Sequence, residues 1–137
     1  MSSDTTTKSD LRCVVVTPEE TVLETDAEFV ALPLFDGEIG IGMHHSAMIG
    51  RLGYGELRIR SGSETLRYYV DGGFVQIADN LVSVLTSRSF PADNVDAEMA
   101  AEQLSSALSR KAVGDDQISI RDRLQLQARA QLRMARQ

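Results

Sequence analysis

The chain has 137 residues, 42% of them apolar, and carries 20 acidic against 14 basic side chains for a net charge of −6. That length and apolar content fit one compact domain with an appendage, and the acidic balance argues against nucleic acid, whose phosphates need a positive surface. No apolar run approaches the roughly 20 residues of a membrane span, so no direct membrane insertion is expected, and a single cysteine excludes an internal disulfide.

The opening "MSSDTTTKSD", residues 1–10, is polar, lacks the apolar core of a signal peptide, and reads as a flexible tail. From Leu11 to about Phe90 the apolar residues recur with a period near two. "LRCVVVT", "AEFVALP", "GELRIRS", "TLRYYVD", "GFVQIA" and "LVSVLTS" are strand-length and rich in Val, Ile, Leu and Tyr. Cys13 alternates with apolar neighbours and reads as a packed strand thiol rather than a nucleophile. In "ELRIRS", Leu57 and Ile59 share one face and Glu56, Arg58 and Arg60 the other, the pattern of a sheet wet on one side. "SGS", "DGG" and "ADN" supply turns or bulges. Residues 11–91 are therefore expected to form an antiparallel β-sandwich or flattened barrel.

Within that region, "GEIGIGMHHSAMIGRLGYGEL" (37–57) holds six of the ten glycines and both histidines. It is not a phosphate cradle: no glycine precedes a lysine, and "GIGMHH" has His45 where a dinucleotide fingerprint needs its third glycine. Nor does it read as a metal site, since adjacent His44 and His45 in extended backbone point to opposite faces. A Ser46–His45–carboxylate triad lacks the strand–turn–helix setting of a nucleophile. No catalytic residue, cofactor or metal is expected. Gly37, Gly40, Gly42, Gly50, Gly53 and Gly55 read as bends where strands pass between layers. His45 reads as a hydrogen-bonded structural or interface histidine. Glu38, on or beside a turn, is either a solvated carboxylate or a partner contact.

After "SRSFPADN" the period lengthens. Ala97, Ala100, Ala101, Leu104, Ala107 and Leu108 recur at helical spacing, with Asp93 or Asn94 placed to cap the start. "AVGDD" breaks the helix, with Gly114 as its stop and Asp115 or Asp116 as the next cap. From Gln117 the stripe resumes through Ile120, Leu124, Ala128, Leu132 and Ala135. So short a link predicts an antiparallel two-helix hairpin over 92–137, giving an α+β chain. The narrow, alanine-rich stripe predicts light docking on the sandwich. Residues 1–116 carry 9 basic and 19 acidic side chains (−10), whereas 117–137 carry five arginines against Asp122 (+4). Arg121, Arg129, Arg133 and Arg136 fall within an arc of about 120° on a helix. That stripe is either a solvated basic face or a surface that seeks an acidic partner.

Three blocks in register resemble the ε subunit of F-type ATP synthases: "LPLFDGEIGI", "HHSAMIGRLGYGEL" and "VDGGFVQIADNLVSVL", followed by the alanine-rich hairpin. The sequence departs from the family pattern at Leu34, usually glycine, and at Met43 and Ala47, which replace prolines around His45. "ISIRDR" has Ser119 and Asp122 where ATP-binding members carry Asp and Arg, which argues against nucleotide sensing. The resemblance implies a non-catalytic rotor subunit, peripheral on the cytoplasmic face of the bacterial inner membrane. Its sandwich would clamp the γ subunit to the ring of c subunits, and its hairpin would reach the α/β catalytic head and restrain ATP hydrolysis. It places Glu38 at the family's carboxylate near the c-subunit loops and His45 at the neighbouring interface histidine. It also offers an acidic loop of the β subunit as the partner of Arg129, Arg133 and Arg136. The rival expectation is a free-standing sandwich that binds a protein or small ligand, its helices serving for dimerisation.

Overall fold

The computed structural model describes residues 11–136, so the expected tail at 1–10 lies outside the described residues. Eight strands come first: β1 (Leu11–Val16), β2 (Thr21–Ala27), β3 (Phe29–Leu34), β4 (Gly37–Ile41), β5 (Met48–Ser61), β6 (Glu64–Ala78), β7 (Leu81–Leu85) and β8 (Ser89–Pro91). Two helices follow, α1 (Ala97–Ser109) and α2 (Asp115–Ala135). The strands form one sheet in the order β2-β1-β7-β6-β5-β3-β4, with β8 beside β6. Alternation does the folding. Leu11, Cys13 and Val15 of β1, Leu57 and Ile59 of β5, Val75 and Ile77 of β6, and Val82 and Val84 of β7 all turn inward into one core. The expected α+β architecture, a β-sandwich followed by a helical hairpin, is present.

Several details differ from the expectation. β1 and β7 pair in parallel, the one departure from antiparallel neighbours among the described strands. β2 and β4 carry no clean alternation, β2 reading half-buried at most positions, so period two does not reveal them. "TLRYYVD" and "GFVQIA" are a single strand, β6, kinked where Gly72 and Gly73 adopt positive φ. Its half before the kink pairs with β8 and its half after the kink with β7.

The glycines between 37 and 57 are mostly not bends. Among them only Gly37 has positive φ, and Gly50, Gly53 and Gly55 lie inside β5. Gly53 is required by close approach, since a Cβ there would sit 2.8 Å from the Leu34 carbonyl oxygen.

The helix boundaries shift by a few residues. Asp96, not Asp93 or Asn94, caps α1, its Oδ1 accepting from the Met99 N–H at 3.1 Å. Asp93 and Asn94 belong to a preceding 3-10 turn, Ala92–Asn94. α1 stops at Ser109, and Gly114 (φ +86) is the residue before α2 rather than the stop of α1. Asp115 and Asp116 occupy the first turn of α2, where the helix dipole favours negative charge.

α2 has two contact faces. Leu124, Ala128 and Leu132, part of the expected stripe, lie along α1, where Gln103 donates to the Leu124 carbonyl at 2.9 Å and Leu104 shares a groove with Leu132. Ala135 and Ile120, also in that stripe, are exposed. The second face, Gln127, Ala130, Gln131 and Met134 at helical spacing, meets the sandwich. Ala130 and Met134 pack on fully buried Tyr69, with Tyr54, Phe90, Ala92 and Val95 around them.

Candidate functional site

Two segments singled out in the sequence flank the start of β5. The Phe35 N–H in the β3–β4 turn donates to the Arg51 carbonyl at 2.8 Å, tying that turn to β5. Glu38 follows on β4, opposite Pro33, with its exposed carboxylate 3.7 Å from the Arg58 guanidinium. His45 lies half-buried in the β4–β5 loop, its Nδ1 2.8 Å from the Ser46 carbonyl. A carbonyl only accepts, so Nδ1 carries the proton and Nε2 is the acceptor nitrogen of the neutral ring. No hydrogen bond or ion pair joins Glu38 to His45 among the described residues. His44 is not in extended backbone as expected: its φ is +63, and its N–H donates to Asn80 Oδ1 at 2.6 Å, anchoring the loop to the β6–β7 turn.

The face beside these segments is the feature that reading by motif missed. Register sets Arg51, Phe74 and Leu85 directly opposite one another across β5, β6 and β7, with Val16 of β1 opposite Leu85. Opposed residues share a face, and alternation adds Ile49. Phe35 lies beneath Arg51, the guanidinium carbon 4.2 Å from the ring centroid. Ile49, Phe74 and Phe35 remain 73%, 59% and 57% exposed. A face that should be wet instead carries a band of bare apolar side chains, the composition of a protein contact. The signal was present in "GFVQIA", where Phe74 shares its side with Gln76 while Val75 and Ile77 point inward.

On the helices, Arg129, Arg133 and Arg136 line a shallow groove of about 180 Å³ with Leu104 and Leu132. None of the three has an ion pair among the described residues. Arg121, expected in the same stripe, is half-buried, does not line the groove, and lies 3.7 Å from Asp122.

The hairpin seat on the sandwich is polar at both ends. At one end Arg67 holds the nearly buried Glu56 carboxylate (Nε to Oε2 2.6 Å) and also donates to the Met134 carbonyl at 3.3 Å, satisfying an acceptor in the last turn of α2. At the other, Asp71 accepts from the Tyr69 hydroxyl at 2.6 Å and from Gln127 at 3.2 Å. Burial, followed by the Asp71 hydrogen bond, pushes the Tyr69 phenol far above its ordinary range.

Burial pushes the Cys13 thiol up to about 12, which removes the thiolate that a nucleophile needs. Among the described residues no group of three His, Cys, Asp or Glu side chains is placed to hold a metal ion. What the surfaces offer is contact: an apolar band, a charged turn and an unpaired basic groove.

The family model for the ATP synthase delta/epsilon chain β-sandwich domain matches residues 10–92. The ATP synthase epsilon chain of Rhodopirellula baltica is 49% identical over 126 residues, covering 92% of this chain and 98% of that protein. The epsilon chain of Rubrobacter xylanophilus is 32% identical over 125 residues, covering 89% and 86%. Among solved structures, a chain of the Euglena gracilis mitochondrial ATP synthase (OSCP/F1/c-ring) superposes with a TM-score of 0.79 at 21% identity, covering 94% of this chain and 82% of that one. A chain of the central stalk and c-ring of the Tetrahymena thermophila mitochondrial ATP synthase gives 0.67 at 18% identity, covering 90% and 98%. At those identities the two structures bear on the fold.

Proposed function

The chain belongs to the ATP synthase delta/epsilon chain family as an epsilon chain, a subunit without catalytic chemistry of its own, and on that premise we propose that it is a rotor component of the central stalk. In this reading the sandwich seats on the γ subunit and on the ring of c subunits, so that ring rotation reaches the α/β head. The hairpin restrains ATP hydrolysis. The complex holds the chain peripherally on the cytoplasmic face of a bacterial inner membrane. No helix among the described residues is long and apolar enough to cross a membrane.

The observation that carries the reading is the bare band of Ile49, Phe74 and Leu85, with Phe35 and Arg51 at its end. A torque-bearing contact needs a dry centre with charged edges, because apolar burial supplies affinity and flanking charges fix the register. Glu38 and His45, on the segments flanking the start of β5, supply polar contacts toward the c-ring and γ. Arg129, Arg133 and Arg136 supply an unpaired basic surface for the acidic loop of the β subunit.

The test is ATP-driven proton pumping in membranes rebuilt with the catalytic head, γ and either the native chain or the double variant Phe74→Asp, Leu85→Asp. Both side chains are exposed, so no core contact is lost, and the two carboxylates facing one another across β6 and β7 should cost the sheet about 1 kcal/mol. Pumping should fall to the level seen without the chain. Pumping equal to that of the native chain would remove the band from the interface and the rotor role with it.

A further inference from the structure

The face of α2 that meets the sandwich carries glutamines at two positions where a packing helix usually carries apolar side chains. Gln127 Nε2 donates to Asp71 Oδ2 at 3.2 Å, and Gln127 Oε1 accepts from Gln103 Nε2 of α1 at 3.3 Å. The other Gln103 proton goes to the Leu124 carbonyl at 2.9 Å. Asp71 also accepts from Tyr69 Oη at 2.6 Å and from Ser87 Oγ at 3.1 Å. The Asp71 side chain is only 9% exposed, so water does not readily replace a lost donor.

The polarity of this chain of bonds is forced. A carboxylate only accepts, so Gln127 must turn its NH₂ toward Asp71. That leaves the Gln127 carbonyl facing α1, where only a donor can meet it, and Gln103 supplies one. The order of donors and acceptors is thus dictated by the sandwich and carried outward through two helices. Such connected networks are worth more together than their separate links.

We infer that the Gln103–Gln127–Asp71 relay makes closure of the hairpin and docking of the hairpin a single event: α2 presents the correct end of Gln127 to the sandwich only while α1 holds the other end. The consequence is an all-or-none release. When α2 leaves the sandwich, Gln127 loses its fixed orientation and the α1–α2 pairing loosens with it. Under the proposed regulatory role of the hairpin, on which this consequence rests, the relay turns a graded helix motion into a two-state switch.

The experiment is hydrogen exchange on the isolated full-length chain, read separately over β1–β7, α1 and α2. Asp71→Ala removes the acceptor that orients Gln127 and never touches α1. Gln127→Glu keeps an acceptor for Gln103 but sets a second carboxylate against Asp71, so it breaks only the link to the sandwich. In each variant the amides of α1 as well as those of α2 should exchange about tenfold faster, the effect of losing one or two such bonds. Faster exchange confined to α2, with α1 unchanged, overturns the relay. Should Asp71→Ala also loosen the sandwich amides through its Tyr69 and Ser87 bonds, Gln127→Glu alone decides by the same criterion. Failure here leaves the subunit role standing. Conversely, faster exchange in both helices with unaltered ATP hydrolysis in the assembled complex would remove the regulatory role and leave the relay.

Discussion

At Gly73 the backbone takes φ +109 inside β6, and a Cβ there would collide with the Leu85 carbonyl oxygen. Gly73→Ala therefore combines left-handed strain with a steric clash in the middle of the sheet. It should cost about 2–4 kcal/mol, read as a lowered denaturant midpoint; an unchanged midpoint would contradict the placement of the kink. Cys13 gives a pH signature. Its thiol pKa rises from an ordinary 9.0 to about 12 on folding, so above pH 9 the unfolded chain binds fewer protons than the folded one. That contribution to stability is whole below 9 and declines as pH climbs toward 12. Cys13→Ala should flatten the alkaline part of the stability curve, and a native thiol that reacts promptly at pH 8 would contradict the burial. Glu38 is different in kind. Its pair with Arg58 is exposed and 3.7 Å long, worth well under about 1 kcal/mol after solvent screening. Glu38→Lys should leave the unfolding transition in place while weakening ATP-driven proton pumping; intact pumping would move the c-ring contact elsewhere on the turn. Cys13 was legible because alternation fixes which strand residues are buried. The need for Gly73 was not, because it comes from the carbonyl of a strand twelve residues away.

Among the elements, the strands with clean alternation and the helices with an apolar stripe were legible, and the exceptions have one cause. Periodicity reports apolar burial, so it found the α2 face that meets α1 through Leu124, Ala128 and Leu132 and passed over the face that meets the sandwich through Gln127 and Gln131. A polar residue bonded to a buried carboxylate looks in sequence like one facing water. β4 was hidden for a similar reason: its glycines suggest bends, yet Gly40 is in extended pairing opposite Ala31 beneath the Phe29 ring. Ala130 tests the docked face directly. It is fully packed against Tyr69, so Ala130→Leu overfills that contact and should weaken docking by about 1–3 kcal/mol. The expected readout is faster proteolysis in the hairpin and an unchanged unfolding transition of the sandwich. Equal protease resistance would mean that α2 does not rest on Tyr69 in solution.

On the scale of the whole molecule, an acidic body carries a basic helix whose three arginines, Arg129, Arg133 and Arg136, pair with no carboxylate among the described residues. That arrangement leaves the charge split visible in the sequence unneutralised inside the fold and available to an acidic neighbour. Replacing all three by alanine should raise ATP hydrolysis by the assembled complex severalfold, the effect of losing about 1 kcal/mol of contact in total from three exposed pairs. Unchanged hydrolysis would assign restraint to another surface. Family membership sets aside the free-standing binding module, and the exposed band on the sheet gives the proposed rotor role a physical basis that motifs alone did not supply. The most direct measurement is co-purification of the full-length chain with γ, native against Phe74→Asp, Leu85→Asp. A mechanical coupler requires a stoichiometric complex with the native chain and loss of that complex with the variant. A native chain that emerges free of γ, or a variant retained as tightly as the native chain, would contradict it.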